Sequence, residues 1–152
     1  MAQDLLIKQS SSSSGFDLVL GEQDFETVDG METTIAVLLF TDARAAPEEI
    51  SDPEKRRGWV GNILRFTELG GMLWLMTQTR NTQEVRNKII KWVKSSLQPL
   101  LDDNMASEIQ VNVGQTTSRG ISLSINIIVK NGETTKYTYW LDTNLGNLAN
   151  VN

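Results

Sequence analysis

Apolar and polar positions alternate along this chain with two different periods. In the last third the period is two. Ile109, Val111 and Val113 alternate with polar residues in "EIQVNV". Ile121, Leu123, Ile125, Ile127 and Val129 do the same through "GISLSINIIVK", and "KYTYWL" sets Tyr137, Tyr139 and Leu141 on one face. Successive side chains of a strand point to opposite faces, so the pattern predicts three half-buried strands. Earlier the period is helical. Val85, Ile89, Trp92, Val93, Ser96 and Leu97 form one helix face, and Asn81 with Glu84 has the spacing of a capping box. Met31, Ile35, Leu38 and Leu39 fall at i, i+4, i+7 and i+8 in "DGMETTIAVLLF", with Asp29 as N-cap and Glu32 three residues on. The β-branched Thr33, Thr34, Ile35 and Val37 oppose a helix there, but the spacing favours one. Pro99 biases Gln98 away from helix and suits the first position of a further turn, "PLLDDN".

The remaining stretches are shorter. "FDLVL" puts Phe16, Leu18 and Leu20 on one strand face. "DLLIKQ" at 4–9 suits either a short strand or an arm, and the serine run at 10–14 reads as a solvated connector. "GGMLWLM" at 70–76 is too short for periodicity to assign. Between the first helix and this stretch lies "FTDARAAPEEISDPEKRRGWVGN", a charged loop in which Pro47 and Pro53 argue against regular structure.

Asn131-Gly132 marks the turn between the last two strands, and parity sharpens it. A two-residue loop would oppose Ile125 to Thr138 and Ile127 to Lys136, apolar face against polar face. A three-residue loop, Lys130-Asn131-Gly132, opposes Ile125 to Tyr137 and Leu123 to Tyr139. The pattern therefore predicts a three-residue hairpin with a bulge and a left-handed Gly132. The expected fold is α+β: a small single domain, an antiparallel sheet with a C-terminal three-stranded meander, and helices packed on one face. Its body is expected at 16–142, after a flexible arm at 1–15 and before a tail at 143–152. The second sheet face carries Ser122, Ser124, Asn126, Lys136 and Thr138, but also Ile128 and Trp140. Those two are either ordinary strand residues or part of a contact surface.

Composition narrows the chemistry. The 152 residues suit one domain, long enough to bury roughly 68–70% of the unfolded surface. No run reaches the roughly 18 apolar residues of a membrane helix, and "MAQDLLIKQ" lacks the pattern of a signal peptide, so a cytoplasmic site of synthesis is expected, without membrane insertion. Cysteine and histidine are absent, which excludes thiol nucleophiles, disulfides, Cys/His zinc sites and Ser-His-Asp triads. Enzymatic routes then reduce to carboxylates, Lys, Tyr, Ser or a carboxylate-bound metal. The carboxylates Asp42, Glu48, Glu49, Asp52, Glu54, Asp102 and Asp103 show no spacing that implies a pair held across a cleft, as glycosidases require. No calcium or phosphate-binding loop motif occurs. The net charge of −5 opposes nucleic acid, and the basic run in "EKRRGW" is short and preceded by acids.

Protein contact is the better-supported alternative. Arg and Trp dominate buried interfaces, Arg holds carboxylates bidentately, and Gly58 and Gly61 around Trp59 permit close backbone approach. The bland alternative, a surface loop whose Trp59 plugs the local core, explains the composition equally well.

The segments "METTIAVLLFTDARA", "RRGWVGN", "LWLM" and "PLLDDNMASEIQVNV" resemble the Mu-like phage baseplate protein family, across about residues 16–140. That family is related to the sheath-initiating, lysozyme-like wedge subunits of contractile tails and of type VI secretion. Leu39, Phe40, Thr41, Asp42, Arg44 and Ala45 match its Leu-Phe-Thr-Asp-x-Arg-Ala pattern. Arg57, Gly58, Trp59 and Gly61 match its Arg-Gly-Trp-Trp-Gly-Asp pattern, while Val60 replaces the second Trp and Asn62 the Asp. The resemblance implies a structural protein of the virion, assembled in the host cytoplasm, in a six-fold baseplate between wedge proteins and the first sheath ring. It implies strand addition by sheath at a sheet edge, and contact with the wedge's helical bundle at the place of Asp42 and Arg44. The candidate interface is Asp42, Arg44, Arg56, Arg57, Gly58, Trp59 and Gly61, with no catalytic residue, cofactor, metal, nucleic acid or small-molecule substrate. The alternatives are an assembly adaptor or chaperone absent from the mature particle, and a carboxylate-dependent peptidoglycan hydrolase.

Overall fold

The computed structural model describes residues 4–9, 16–28, 30–64, 68–76, 82–117, 120–142 and 148–150. The period-two region forms the expected antiparallel strands. Glu108–Thr117 (β5), Gly120–Ile128 (β6) and Thr134–Asp142 (β7) form a meander. A short strand, Leu148–Asn150 (β8), adds a fourth member through Leu141↔Leu148 and Tyr139↔Asn150, giving the order β5-β6-β7-β8. Four shorter strands precede them among the described residues: Asp4–Leu5 (β1) pairs with Thr27–Val28 (β4), and Ile7–Gln9 (β2) with Phe16–Leu18 (β3). Residues 4–9 are thus largely strand. The strand predicted over 16–20 ends at Leu18, and Leu20 keeps only a bridge to Phe25 and is 75% exposed.

Three α-helices among the described residues pack on the inward face of the sheet: Glu32–Phe40 (α1), Gln83–Ser96 (α2) and Gln98–Asp102 (α3). Ile35, Leu38 and Leu39 of α1 and Ile89, Val93 and Leu97 at α2 meet Val111, Ile121, Leu123, Ile125, Ile127, Tyr139 and Leu141 in one core. These are the residues that helical and strand periodicity set facing inward. Phe16 stacks on Phe40, which meets Tyr139 edge-on, both at 5.3 Å, tying the amino-terminal strands to α1 and the sheet. On the other face Ser122, Ser124, Asn126, Ile128 and Trp140 are half-buried, and a methyl on Gly120 would stand 2.6 Å from the Trp140 ring.

The predicted hairpin is present. Ile125 pairs with Tyr137 and Leu123 with Tyr139. Gly132 has φ 85° and donates to Val129 O at 2.9 Å, while Val129 N donates to Glu133 O at 3.0 Å. That pair of bonds closes a three-residue loop of Lys130, Asn131 and Gly132.

The helix starts differ from expectation. Asp29 and Asn81 lie outside the described residues. The N-cap of α1 is Met31, without a side-chain bond, and that of α2 is Thr82, whose Oγ1 accepts from Val85 N at 3.3 Å. Threonine and asparagine are both among the residues favoured at N-caps, so composition alone does not choose between Thr82 and Asn81. Gln98 is helical and Pro99 takes the second position of α3. The backbone turns straight from α2 through Leu97 in right-handed conformation, and Gln98 Nε2 bonds Asp102 Oδ1 at 2.9 Å, one turn on. The prolines do not leave the loop irregular either. Pro47 and Pro53 each open a single 3-10 turn, Pro47–Glu49 and Pro53–Lys55, where a missing N–H is harmless. The unassigned stretch at 70–76 holds another, Leu73–Met76.

Candidate functional site

The charged loop leaves α1 through an extended segment that is clamped from behind. Gly71 N donates to Thr41 O at 2.8 Å and Ala43 N to Gly71 O at 3.0 Å, forming a parallel bridge. Only glycine fits this approach. Gly70 has φ 120° and a methyl there would stand 2.5 Å from Thr41 O, while one on Gly71 would stand 2.8 Å from Leu39 O. Extended backbone alternates its side chains, so Ala43 and Ala45 are buried and Asp42 and Arg44 face outward.

The loop's middle is stitched locally. Glu49 Oε2 accepts from Ala46 N at 3.0 Å, and Asp52 Oδ1 accepts from Glu54 N at 3.1 Å while its other oxygen pairs with Lys55 at 3.3 Å. These carboxylates therefore serve as turn caps. The chain then comes back onto its own start. Ala45 N donates to Arg56 O at 3.1 Å, and Arg56 Nε donates to Ala45 O at 2.5 Å. Arg57 Nη1 meets Asp42 Oδ2 at 3.1 Å, and its guanidinium lies 4.9 Å from the ring centroid of Trp74. Trp74 Nε1 donates to Ala43 O at 2.9 Å. Gly58, at φ 116°, lies so close to Arg44 that a methyl would stand 2.9 Å from its Cβ.

Magnitudes show what Arg57 contributes. Its φ of 47° costs about 1–2 kcal/mol in a residue with a Cβ. An ion pair this exposed is worth about 0–1 kcal/mol, and an exposed cation–π contact about 0.5–1. Strain and contacts nearly cancel. Arg57 therefore fixes the loop's shape more than it stabilises the fold.

Of the sequence candidates, Asp42, Arg44, Arg56, Arg57 and Gly58 come together at this closure. Trp59 and Gly61 lie just beyond it. Trp59 is 39% exposed and stands outside the core, and a methyl on Gly61 would overlap its ring. Trp74 ties the loop to the body through Ala43 O and the Arg57 guanidinium. Sequence reasoning missed Trp74, Gly70, Gly71 and Asn62. Asn62 bonds the Leu69 backbone twice at 2.9 Å, Nδ2 to the carbonyl and Oδ1 from the N–H. The glycine pair in "GGMLW" was the available signal, because adjacent glycines mark close backbone approach.

Among the described residues no group of three acidic, His or Cys side chains converges to hold a metal. A concavity of about 430 Å³ between β2, β3, α1 and β7 is lined by Lys8, Phe16, Glu32, Lys136, Tyr137 and Tyr139 among others. Among the described residues that line it, Glu32 is the one carboxylate, where glycoside hydrolysis needs a pair. Burial raises both tyrosine pKa values above the usual 10, that of Tyr139 well beyond it.

Both halves of the closed loop fall within residues 31–134, which match the family described as phage protein GP46. Over 124 residues the chain is 27% identical to the Mu-like prophage FluMu protein gp46 of Haemophilus influenzae, covering 81% of this chain and 86% of that protein. Over 118 residues it is 26% identical to the baseplate protein gp46 of Escherichia phage Mu, covering 76% and 81%. The matched segment runs from the start of α1 through the loop, α2, α3 and the first two long strands, and on that evidence this chain belongs to the phage protein GP46 family.

Proposed function

We propose that this chain is a structural component of a phage tail baseplate, joining wedge proteins to the first ring of sheath. The observation that carries the proposal is the closure of the loop. Its two ends, "FTDARA" and "RRGWVG", are locked to each other by Ala45–Arg56 and Asp42–Arg57 and leave Arg44 and Arg57 exposed and Arg56 half-buried on a clamped support. A preformed arginine surface loses little entropy on docking. The similarity to the phage Mu baseplate protein supports the setting. Within this reading Arg44 and Arg56 meet carboxylates of wedge partners, Arg57 holds the loop in shape while remaining half-exposed, and Trp59 adds apolar contact. The outer edge of β5 pairs with no strand among the described residues and supplies ten residues of backbone for sheath strand addition.

Replacing Arg44 and Arg57 together by Ala is expected to block assembly of tails while the isolated domain stays folded. The Arg57 ion pair with Asp42 and its stacking on Trp74 are each worth about 1 kcal/mol or less, too little to unfold the chain. Electron microscopy of particles and the thermal midpoint of the purified chain check the two halves of this expectation. Normal tails carrying the double variant would refute the loop's role. Absence of the wild-type chain from purified particles, by mass spectrometry, would refute the baseplate role itself.

A further inference from the structure

The hairpin tip between β6 and β7 carries a reactive pair that the rest of the chain does not repeat. Asn131 is the one asparagine of the sequence that is followed by glycine. The carboxamide of an asparagine is open to attack by the main-chain nitrogen of the next residue. The attack is easiest when that residue is glycine, because no Cβ crowds the approach. Both Asn131 and Gly132 are exposed, so water reaches them. In the reaction Gly132 N gives its proton to solvent and bonds to Asn131 Cγ. The Cγ–Nδ2 bond breaks, and the nitrogen leaves as ammonia with a proton from solvent. The cyclic imide then takes up one water. Opening on the Cγ side leaves aspartate. Opening on the main-chain carbonyl side leaves isoaspartate, whose backbone runs through Cβ.

The closed tip restrains each reacting group. Gly132 N donates to Val129 O at 2.9 Å, which holds the proton that must leave. Asn131 Oδ1 accepts from Glu133 N at 2.9 Å and Nδ2 donates to Glu133 Oε2 at 2.9 Å, so the carboxamide is fixed at both ends. The Glu133 carboxylate also disfavours negative charge on the attacking nitrogen, as a like charge nearby does. Crowding plays no part, since nothing lies within 4 Å of where a Gly132 methyl would stand. Either product damages the tip. Aspartate sets a second carboxylate beside Glu133 in place of an amide donor. Isoaspartate adds a backbone atom to a three-residue loop whose length sets Ile125 opposite Tyr137 and Leu123 opposite Tyr139.

We propose that Asn131 is the site of spontaneous deamidation in this chain, and that the bonds to Val129 and Glu133 hold the reaction back while the hairpin is closed. The proposal is independent of the baseplate reading. The purified full-length chain tests it, incubated in mildly alkaline buffer both folded and in urea, with every asparagine followed by peptide mass spectrometry. In urea Asn131 is expected to convert before every other asparagine, and Gly132→Ala is expected to slow that conversion. In the folded chain the conversion of Asn131 is expected to be about tenfold slower or more, because reaction then waits on local opening of the tip. Glu133→Ala, folded as judged by circular dichroism, is expected to lose part of this protection. Another asparagine converting first in urea overturns the site. Equal rates in the folded and unfolded chain overturn the hold. A Glu133→Ala variant that folding protects as well as wild type overturns the grip of Glu133 on the carboxamide.

Discussion

At the scale of single residues, two left-handed glycines separate backbone strain from crowding. Gly132 in the hairpin has φ 85° and nothing within 4 Å of where a methyl would stand. Gly132→Ala should therefore cost only the strain, about 1–2 kcal/mol, and Gly132→Asn less, since asparagine tolerates this conformation. Gly70 has φ 120° and faces Thr41 O at 2.5 Å and Ala43 N at 3.0 Å, both rigid backbone. Gly70→Ala should cost roughly 2–5 kcal/mol, strain plus overpacking, and should loosen the clamp under the loop. Urea unfolding of both variants checks the ranking, and an equal cost at the two sites would contradict it. Gly132 was legible in the sequence because its Asn-Gly context and the parity of the flanking strands both demand a left-handed residue. Gly70 was not, because the atoms that exclude a side chain there belong to Thr41 and Ala43, far away along the chain.

At the scale of elements, what was legible is what repeats. The α2 face and the three long strands follow from side-chain periodicity, and packing against a common core enforces the same period. The hairpin register followed too, because a slip of one residue would turn Tyr137 and Tyr139 out of the core-facing set. Ends and short pieces were less legible. β8 has only three residues, the α2 cap falls on Thr82 beside the Asn81 that the spacing suggests, and α1 starts after Met31, whose side chain caps nothing. The α2 cap is nonetheless testable. Thr82 Oγ1 satisfies Val85 N, so Thr82→Ala should destabilise the protein by about 1 kcal/mol, whereas Thr82→Asn should restore most of it. A shift in denaturation midpoint at unchanged slope would report this as reduced stability rather than changed compactness.

At the scale of the whole molecule, the candidate surface was half legible. The motifs at the two ends of the loop marked Asp42, Arg44, Arg56, Arg57, Gly58, Trp59 and Gly61 as an interface for other proteins, but not the contacts by which Asp42 and Arg57, and Ala45 and Arg56, close the loop on itself. The support beneath them, with Trp74 under the Arg57 guanidinium and Ala43, joins elements distant in sequence and carries no local signal. The same long-range packing sets how the fold responds to alkali. The chain has two tyrosines, Tyr137 and Tyr139, and both lie where α1 meets β7. Burial is the main cause that raises each pKa, with the Glu32 carboxylate adding to it, and Tyr137 is partly offset by its hydrogen bond to the Met31 backbone. In the unfolded chain both ionise near the ordinary pKa of about 10. Above that pH the unfolded state binds fewer protons than the folded state, so stability falls as pH rises. Their contribution is fully present below about pH 10 and is lost as pH climbs toward the raised folded values. Phenolate absorbance in the near ultraviolet should accordingly lag behind that of free tyrosine and then rise together with loss of helical circular dichroism. Tyr139→Phe keeps the ring against Phe40 but removes the more strongly shifted group, and should flatten the decline above about pH 10. A decline equally steep in the variant would mean that groups other than Tyr139 drive alkaline unfolding.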